Sequence, residues 1–212
     1  QAAQQRLAES GYYSAAFVFV DTSGDPDAAP VVLQLREAQL QKLVLGVGAS
    51  TDSGPRLSLE HTHHRVPGLH WRSTVKLRAE RDTPLAEGEL RSPRDPGGWY
   101  WTVGALAQRE RDADLSITSQ RLRASRSTDS PTLDRSVYLQ YDRARSDSEV
   151  LRRLGPLQAE SSVSANFAFA SRDYDSLPVA RRGRGLNLEM GVGMTLGDQR
   201  RPYLRTRVRW QQ

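Results

Sequence analysis

Three histidines that lie close together are the residues with the clearest potential for metal chemistry. His61 and His63 point to one face of a candidate strand, and His64 follows directly. Imidazole is a common metal ligand, but no carboxylate accompanies these residues in a ligand-like arrangement. His61 and His63 instead continue the face begun by Leu57 and Leu59. We therefore expect a position at the end of a strand face, and we predict no metal or other cofactor.

Two carboxylates, Glu87 and Glu89, share a strand face with Arg91 and resemble an acid pair only in their spacing. Neutralisation by arginines of neighbouring strands is favoured over general acid and base chemistry as their role. The serines form no nucleophile elbow, and neither a P-loop nor a dinucleotide-binding fingerprint occurs. The sequence therefore predicts a protein that is not an enzyme.

The positive charge of the chain is carried almost entirely by arginine. The net charge is +5, and lysine occurs only at positions 42 and 76. A nucleic-acid-binding surface would cluster its basic residues on one helix or tract, whereas most arginines here alternate with apolar residues. That pattern favours the wall of a polar lumen, and we predict no nucleic-acid partner. The group Arg181, Arg182 and Arg184 fits solvated charge, contact with a periplasmic domain, or binding of anionic headgroups.

Alternation of apolar and polar residues with a period of two dominates the chain after residue 43, and short turn clusters separate the runs. In 70–81, for example, Trp71, Val75 and Leu77 share one face, while Arg72 and Lys76 share the other. Such runs predict antiparallel strands joined by hairpins. Ten candidate strands follow, at 43–50, 55–65, 70–81, 85–92, 98–110, 115–126, 133–143, 161–172, 185–196 and 202–210.

A membrane β-barrel and a soluble β-sandwich both alternate, so the composition of the faces has to separate them. No stretch approaches the roughly 20 apolar residues of a membrane helix. The strands are long, their apolar face includes small residues such as Ala105 and Ala165, and aromatic residues such as Trp71, Trp99 and Trp210 lie near strand ends. These features favour a membrane barrel, whose aromatic rings sit at the interface. A soluble sandwich with a binding role remains an alternative.

The first 40 residues have a different pattern from the rest of the chain. Residues 1–9 predict a short helix that ends near Gly11, 12–21 and 31–38 predict strands, and 23–30 is rich in turn residues. Helix, strand, turn and strand describe the end of a small α+β domain. We thus divide the chain into 1–40 and 41–212. Both ends look cut, since no initiator methionine or signal segment opens the chain, and we expect a longer protein.

The stretch LVLGVGASTDSGPRLSLEHTH at 43–63 resembles the opening of the barrel in the TamA branch of the BamA/TamA outer-membrane assembly-factor superfamily. In that branch a glycine-rich first strand is followed by a Thr-Asp-x-Gly-Pro-Arg turn. Segments 10–20 and 29–35 look like the final polypeptide-transport-associated (POTRA) domain, and 175–193 looks like a recurrent turn and strand of these barrels. The residues that match the opening motif are Gly46, Val47, Gly48, Ser50, Thr51, Asp52, Gly54, Pro55 and Arg56.

The resemblance implies a mostly β chain, an incomplete antiparallel membrane β-barrel of about ten strands preceded by the C-terminal part of an α+β POTRA domain. It implies residence in the outer membrane of Gram-negative bacteria, with the N-terminal segment in the periplasm. The partners implied are unfolded outer-membrane protein clients, the bilayer with its lipopolysaccharide, and a TamB-like periplasmic protein. The family's lumen motif, Arg-Gly-Phe/Tyr, is expected beyond Gln212, and the ARRGRG sequence at 180–185 is not that motif.

The family mechanism uses a weak seam beside the first strand, where client strands pair with an exposed edge. Glycine weakens a strand, and an unpaired edge invites strand addition. The alternative for the two glycines is that they only permit curvature or close packing. The alternative function is a passive pore or a two-partner secretion type transporter. The predicted seam residues are Leu43, Val44, Leu45, Gly46, Val47 and Gly48.

Overall fold

The computed structural model describes residues 4, 7, 12–21, 29–51, 54–148, 159–174, 182–197 and 200–211. The two N-terminal strands and the ten predicted strands all occur within these ranges, which confirms the antiparallel β fold class. The strands are β1 (Tyr13–Val20), β2 (Val31–Glu37), β3 (Gln41–Ser50), β4 (Gly54–His63), β5 (Arg72–Glu80), β6 (Leu85–Arg91), β7 (Tyr100–Asp112), β8 (Leu115–Asp129), β9 (Leu133–Ser148), β10 (Ala159–Tyr174), β11 (Gly183–Thr195) and β12 (Pro202–Gln211).

The N-terminal strands β1 and β2 form a separate antiparallel hairpin. Of the predicted helix at 1–9, the structure describes Gln4 and Leu7, and both are helical. No helix in the described ranges is long and apolar enough to cross a membrane. The hairpin contacts the large sheet through Tyr12, whose hydroxyl donates a hydrogen bond to the carbonyl of His70 at 3.0 Å.

The other ten strands form one sheet in which every strand pairs with its neighbours in the sequence. Each pairing is antiparallel, so the sheet is an up-and-down meander that runs from β3 to β12. Its two outer strands, β3 and β12, do not pair with each other within the described residues, and the sheet is therefore not closed.

The two faces of this sheet differ in an unusual way: the buried side chains are polar and the exposed ones are apolar. Leu45, Leu139 and Leu204, for instance, expose 69%, 61% and 72% of their surface. A soluble sheet hides such residues and leaves polar ones in water. Here the polar side chains shield one another on the opposite face. The buried polar residues are Thr62, Ser125, Gln140, Ser164 and Asn166.

The strand register brings like residues together across the sheet. Since side chains alternate between faces, a register that pairs apolar positions on one face also pairs polar positions on the other. We call the apolar face the outward face and the polar face the inward face. One outward row, from β7 to β12, is Val103, Ala124, Leu139, Ala165, Val192 and Leu204. The adjacent inward row is Thr102, Ser125, Tyr138, Asn166, Gly191 and Arg205.

The strands extend beyond the predicted runs where the sequence stops alternating. The sequence predicts no strand in residues 144–160, yet β9 continues to Ser148 and β10 begins at Ala159. Residues 143–148 of β9 are held by backbone pairing with the first residues of β8. Backbone pairing requires no apolar side chain, and the sequence pattern therefore ends before the strand does.

Candidate functional site

The predicted seam residues all lie in β3, which is an edge strand. Within the described residues β3 pairs with β4 on one side and with no strand on the other. Its outward side chains are strongly exposed, and Val47 reaches 85%. An edge strand of this kind presents a row of unpaired backbone donors and acceptors beside an apolar surface.

The backbone groups that face the open edge can be assigned from the hydrogen-bond pattern. Residues directly opposite each other in an antiparallel pair alternate between hydrogen-bonded and non-hydrogen-bonded pairs. His64 donates its N–H to the carbonyl of Leu40 at 2.8 Å, and extending the β3–β4 register by one residue places these two opposite each other. By alternation, the N–H and C=O groups of Leu43, Leu45 and Val47 point away from β4. Among the predicted seam residues, these three carry the backbone groups that face the open edge.

The two seam glycines, in contrast, belong to the hydrogen-bonded pairs with β4 and lie on the inward face. Gly46 is opposite Ser58, whose hydroxyl lies 3.5 Å from the Gly46 carbonyl oxygen. A side chain at Gly46 would meet this hydroxyl. A Cβ at Gly48 would lie 3.6 Å from the guanidinium of Arg56. The glycines thus leave space beside β4 rather than at the open edge.

The family-motif residues form the hairpin between β3 and β4. Ser50 ends β3 and Thr51 is in the turn, while Asp52 lies outside the described residues. Gly54 begins β4 with a φ of 75°, a conformation that strongly favours glycine. Pro55 is opposite Ala49. The described motif residues thus lie at the end of β3, in the turn and at the start of β4.

A polar network on the inward face centres on Glu189 of β11. The Tyr138 hydroxyl donates to its carboxylate at 2.7 Å, and Arg205 donates at 2.6 Å to the same oxygen. Arg207 lies 3.5 Å from the second oxygen. Arg205 also reaches Asn166 at 3.4 Å. These contacts join β9, β10, β11 and β12 through side chains, in addition to the backbone ladder.

A second group of inward side chains continues the network toward β8. Arg123 donates two hydrogen bonds to Gln140, at 2.6 and 2.9 Å, and its guanidinium carbon lies 4.2 Å from the centre of the Tyr138 ring. Asp142 accepts from Arg121 at 2.8 Å. Arg121 and Arg123 are thereby paired with side chains of the neighbouring strand β9.

The turn between β6 and β7, residues 92–99, lies at the ends of these strands and is held by side-chain hydrogen bonds. One carboxylate oxygen of Asp95 accepts the N–H groups of Gly97 and Trp99, both at 2.9 Å, and the other accepts from Arg126 at 3.1 Å. The Trp99 N–H and then the Arg126 guanidinium lower the pKa of Asp95 below its ordinary value. Gly98 has a φ of 80°, which closes the turn. We call residues 92–99 the rim turn.

Aromatic and arginine side chains surround the rim turn. The guanidinium carbon of Arg91 lies 3.7 Å from the centre of the Tyr100 ring. One guanidinium nitrogen of Arg94 donates to both carboxylate oxygens of Asp129, each at 3.0 Å. Arg126 lies 5.6 Å from the centre of the Trp99 ring and 5.7 Å from that of Trp101. The strand predicted at 98–110 begins at Tyr100, and Trp99 ends the turn before it.

The histidines form no metal site in the part of the chain that the structure describes. His61 Nε2 lies 3.3 Å from the Gln41 side-chain oxygen, and the His61 and His63 rings meet edge to face at 6.4 Å. Both lie on the outward face near the start of β3. They are neighbours on one strand face, as the alternation predicts.

Sequence reasoning identified the faces of these residues but not their partners. Tyr138, Glu189 and Arg205 all fall on polar faces of predicted strands. Their contact depends on the register of strands that are separated by segments 149–158 and 175–181, and no local pattern determines that register. The pairing of Asp95 with Arg126 is likewise a contact between distant positions. In the sequence, Asp95 close to Gly97 and Gly98 is the one local signal for the rim turn.

Comparison with solved structures gives a likeness to BamA from Haemophilus ducreyi lacking POTRA domains 1–3. The TM-score is 0.63 at 11% sequence identity, and the match covers 93% of this chain and 42% of that one. The chain therefore spans less than half the length of the BamA structure. At this identity the likeness shows the fold alone: an antiparallel sheet like part of a BamA barrel. No protein-family model and no curated protein matches the sequence.

Proposed function

We propose that this chain belongs to an outer-membrane protein assembly or insertion factor, or an autotransporter secretion factor, that acts through the β3 seam. The observation that carries this proposal is the unpaired β3 edge, flanked by the exposed apolar side chains of Leu43, Leu45 and Val47. In this proposal residues 1–40 end a POTRA domain and residues 41–212 form the N-terminal part of the barrel.

The exposure of apolar side chains on one face and the burial of polar side chains on the other support a location in the Gram-negative outer membrane. Leucine, valine and tryptophan side chains on the outward face would be covered by lipid tails, and the arginine-rich inward face would line a hydrated lumen. Lipid then replaces the second sheet that a soluble sandwich would need. The N-terminal hairpin would lie in the periplasm.

The mechanism follows from the direction of the free backbone groups. A client strand that adds to β3 would form its hydrogen bonds with Leu43, Leu45 and Val47, and the apolar side chains of these residues would remain against lipid. Gly46 and Gly48 supply no inward side chain to brace the strand. The pairing of β3 on its open side is therefore determined by backbone geometry and not by side-chain sequence, which suits clients of many sequences.

The partners in this proposal are unfolded outer-membrane proteins, the bilayer with its lipopolysaccharide, and a TamB-like periplasmic protein. The TamB-like partner would meet the end of the sheet where the hairpin β1–β2 is attached. At that end Tyr12 contacts His70. The opposite end carries the motif turn, where Ser50, Thr51, Asp52, Gly54, Pro55 and Arg56 would connect the seam strand to the rest of the barrel.

The substitution Leu45→Pro tests the seam directly. Proline removes the N–H group at the centre of the open edge but leaves the hydrogen-bonded pairs with β4 intact, and edge strands tolerate proline in this orientation. We expect the variant, reconstituted in vesicles, to lose most of its ability to speed the folding of an unfolded outer-membrane barrel diluted from urea. Folding of the client is measured by its altered gel mobility without boiling.

Leu45→Ala is the matched control, because it removes the same side chain and keeps the N–H group. It should retain the activity of the unsubstituted chain. Equal activity of the proline and alanine variants, in chains shown by circular dichroism to be folded, would contradict a role of the open edge. Absence of any acceleration by the unsubstituted chain would contradict the proposed function itself.

A passive pore or a two-partner secretion type transporter is the second candidate, and the arginine-rich inward face favours it. Arg205, Arg207 and Arg209 line one strand of this face. A lumen with this charge would select anions. Stable, anion-selective conductance across a planar bilayer, without acceleration of client folding, would support this candidate over the first.

A further inference from the structure

A shallow groove lies on the outward face beside the rim turn. It has a volume of about 580 Å³ and runs across β7, β8 and β9. Its floor is formed by Ala124, Val137 and Leu139, and the indole rings of Trp99 and Trp101 form one side. The floor is apolar and open to the surroundings, so it can accommodate hydrocarbon chains.

Two arginines lie at the rim end of this groove, and both are on the outward face. Arg126 borders the groove, and Arg135 lies on the neighbouring strand with its guanidinium carbon 5.5 Å from the centre of the Trp99 ring. Asp95 pairs with Arg126, whose side chain is nevertheless half exposed, at 49%. In the described part of the chain Arg135 has no ion-pair partner. This end of the groove thus carries two guanidinium groups and one carboxylate.

The depth of these arginines matches that of a lipid headgroup. Arg126 is three residues from the end of β8, and Arg135 is two residues from the start of β9. At roughly 3.4 Å per residue, both lie within about 10 Å of the strand ends. Tryptophan is enriched at this depth of a membrane, and arginine there can reach phosphate groups.

From this arrangement we infer that the groove binds a glycerophospholipid with an anionic headgroup, whose phosphate contacts Arg126 and Arg135 and whose acyl chains cover Ala124, Val137 and Leu139. The inference rests on the proposed location of the outward face in a membrane. A planar guanidinium can donate two parallel hydrogen bonds to a phosphate. The rim turn lies at the same end of the sheet as the N-terminal hairpin, so a periplasmic hairpin would place the groove in the phospholipid leaflet.

Lipid competition at the two groove tryptophans tests the inference. The full chain, with Trp71→Phe and Trp210→Phe so that only Trp99 and Trp101 fluoresce, is reconstituted in phosphatidylcholine with brominated acyl chains, which quench nearby indoles. Unbrominated phosphatidylglycerol should relieve the quenching more than unbrominated phosphatidylcholine does. We expect the preference to fall about fivefold for each arginine removed by Arg126→Gln or Arg135→Gln, as expected for one basic contact near the membrane surface.

Three further variants make the outcome specific. Arg143→Gln removes an outward arginine of the same strand β9 outside the groove, and it should leave the preference unchanged. Arg126→Lys and Arg135→Lys keep the charge but lose the paired donors of the guanidinium, so they should retain more of the preference than the glutamine variants and less than the unsubstituted chain. Asp95→Asn keeps the oxygen that accepts the Gly97 and Trp99 N–H groups but removes the competing charge, and it should increase the preference.

Several results would overturn the inference. Equal relief by both lipids, or an unchanged preference in the Arg126→Gln and Arg135→Gln variants, would overturn the lipid site and leave the assembly function standing. A stronger effect of lipopolysaccharide, or competition by inorganic phosphate, would overturn the proposed occupant. Absence of quenching by brominated phosphatidylcholine would overturn both the site and the membrane location.

Discussion

The hydroxyl group of Tyr138 makes a contact between strands that are not neighbours in the sheet. It donates to Glu189, and β10 lies between the two strands. Tyr138 is only 5% exposed, although its ring lies on the polar face. In the same cross-strand row, a side chain at Gly191 would collide with the Asn166 amide, which Arg205 of the network contacts. The glycine thus makes room for the network.

The substitution Tyr138→Phe should lower the free energy of unfolding by about 1–2 kcal/mol, because it removes a hydrogen bond to a charged group and leaves the ring in place. The measurement is denaturant unfolding in lipid vesicles. Tyr141→Phe is the matched control, since Tyr141 is on the same strand but faces outward. A loss for Tyr138→Phe no larger than that for Tyr141→Phe would contradict the importance of the Glu189 contact.

The faces of these residues could be predicted, and their contacts could not. Alternation alone places Tyr138 and Gln140 on one side of β9 and Val137 and Leu139 on the other, and the structure agrees. Which inward residue meets Tyr138 depends on how far β11 slides along β10. A slip of one residue would exchange every face, so alternation limits the register only to steps of two. Contacts between inward polar side chains then select one of these registers, and the residues that make them are far apart in the sequence.

At the scale of the strand, the structure changes the interpretation of the glycines in β3. The sequence suggests that Gly46 and Gly48 weaken the open edge, whereas their backbone groups pair with β4 and their missing side chains leave space beside Ser58 and Arg56. Weakness of β3 would therefore arise in its attachment to β4 and on its inward face.

Valine at both positions should strengthen the attachment of β3 and reduce client assembly in the reconstituted protein. The Ser58 hydroxyl would have to turn away from a side chain at Gly46, which a flexible group can do, and β-branched residues favour strands. Gly88→Val in β6 is the control, because nothing lies within 4 Å of a Cβ there. Assembly rates equal to those of the control would contradict a gating role for the glycines.

The limits of the strands were harder to predict than their existence. The strand predicted at 115–126 is β8, which extends to Asp129. Its outward face includes Gln120 and Arg126 beside Leu122 and Ala124, so its alternation is poor. The neighbouring strands β7 and β9 supply the backbone hydrogen-bond partners of β8. Such pairing depends on the whole sheet and cannot be predicted from a short stretch of the sequence.

For the whole molecule, a charge on the outward face distinguishes a membrane sheet from a soluble one. Leu139 is 61% exposed and lies in the middle of β9. In water, replacement of so exposed a leucine by arginine would change stability by less than about 0.5 kcal/mol. In a bilayer, Leu139→Arg should cost about 2–4 kcal/mol in vesicle unfolding measurements.

The same substitution at a strand end provides the control. Leu133 begins β9 on the same outward face as Leu139 and would lie near the membrane surface, where Leu133→Arg should cost only about 0–1 kcal/mol. Equal and small costs at the two positions would indicate that the outward face is not in lipid, and they would favour the soluble alternative with a covering partner.

The nearest-neighbour order of the sheet also bears on how it can form. Every strand pairs only with the strands before and after it, so each contact closes a short loop, and the sheet can grow by adding one hairpin at a time in the order of synthesis. At each stage one edge advances as new strands join. The other edge is always β3, from the first hairpin onward. The strand proposed to receive clients would thus be available for pairing before the sheet that carries it is complete.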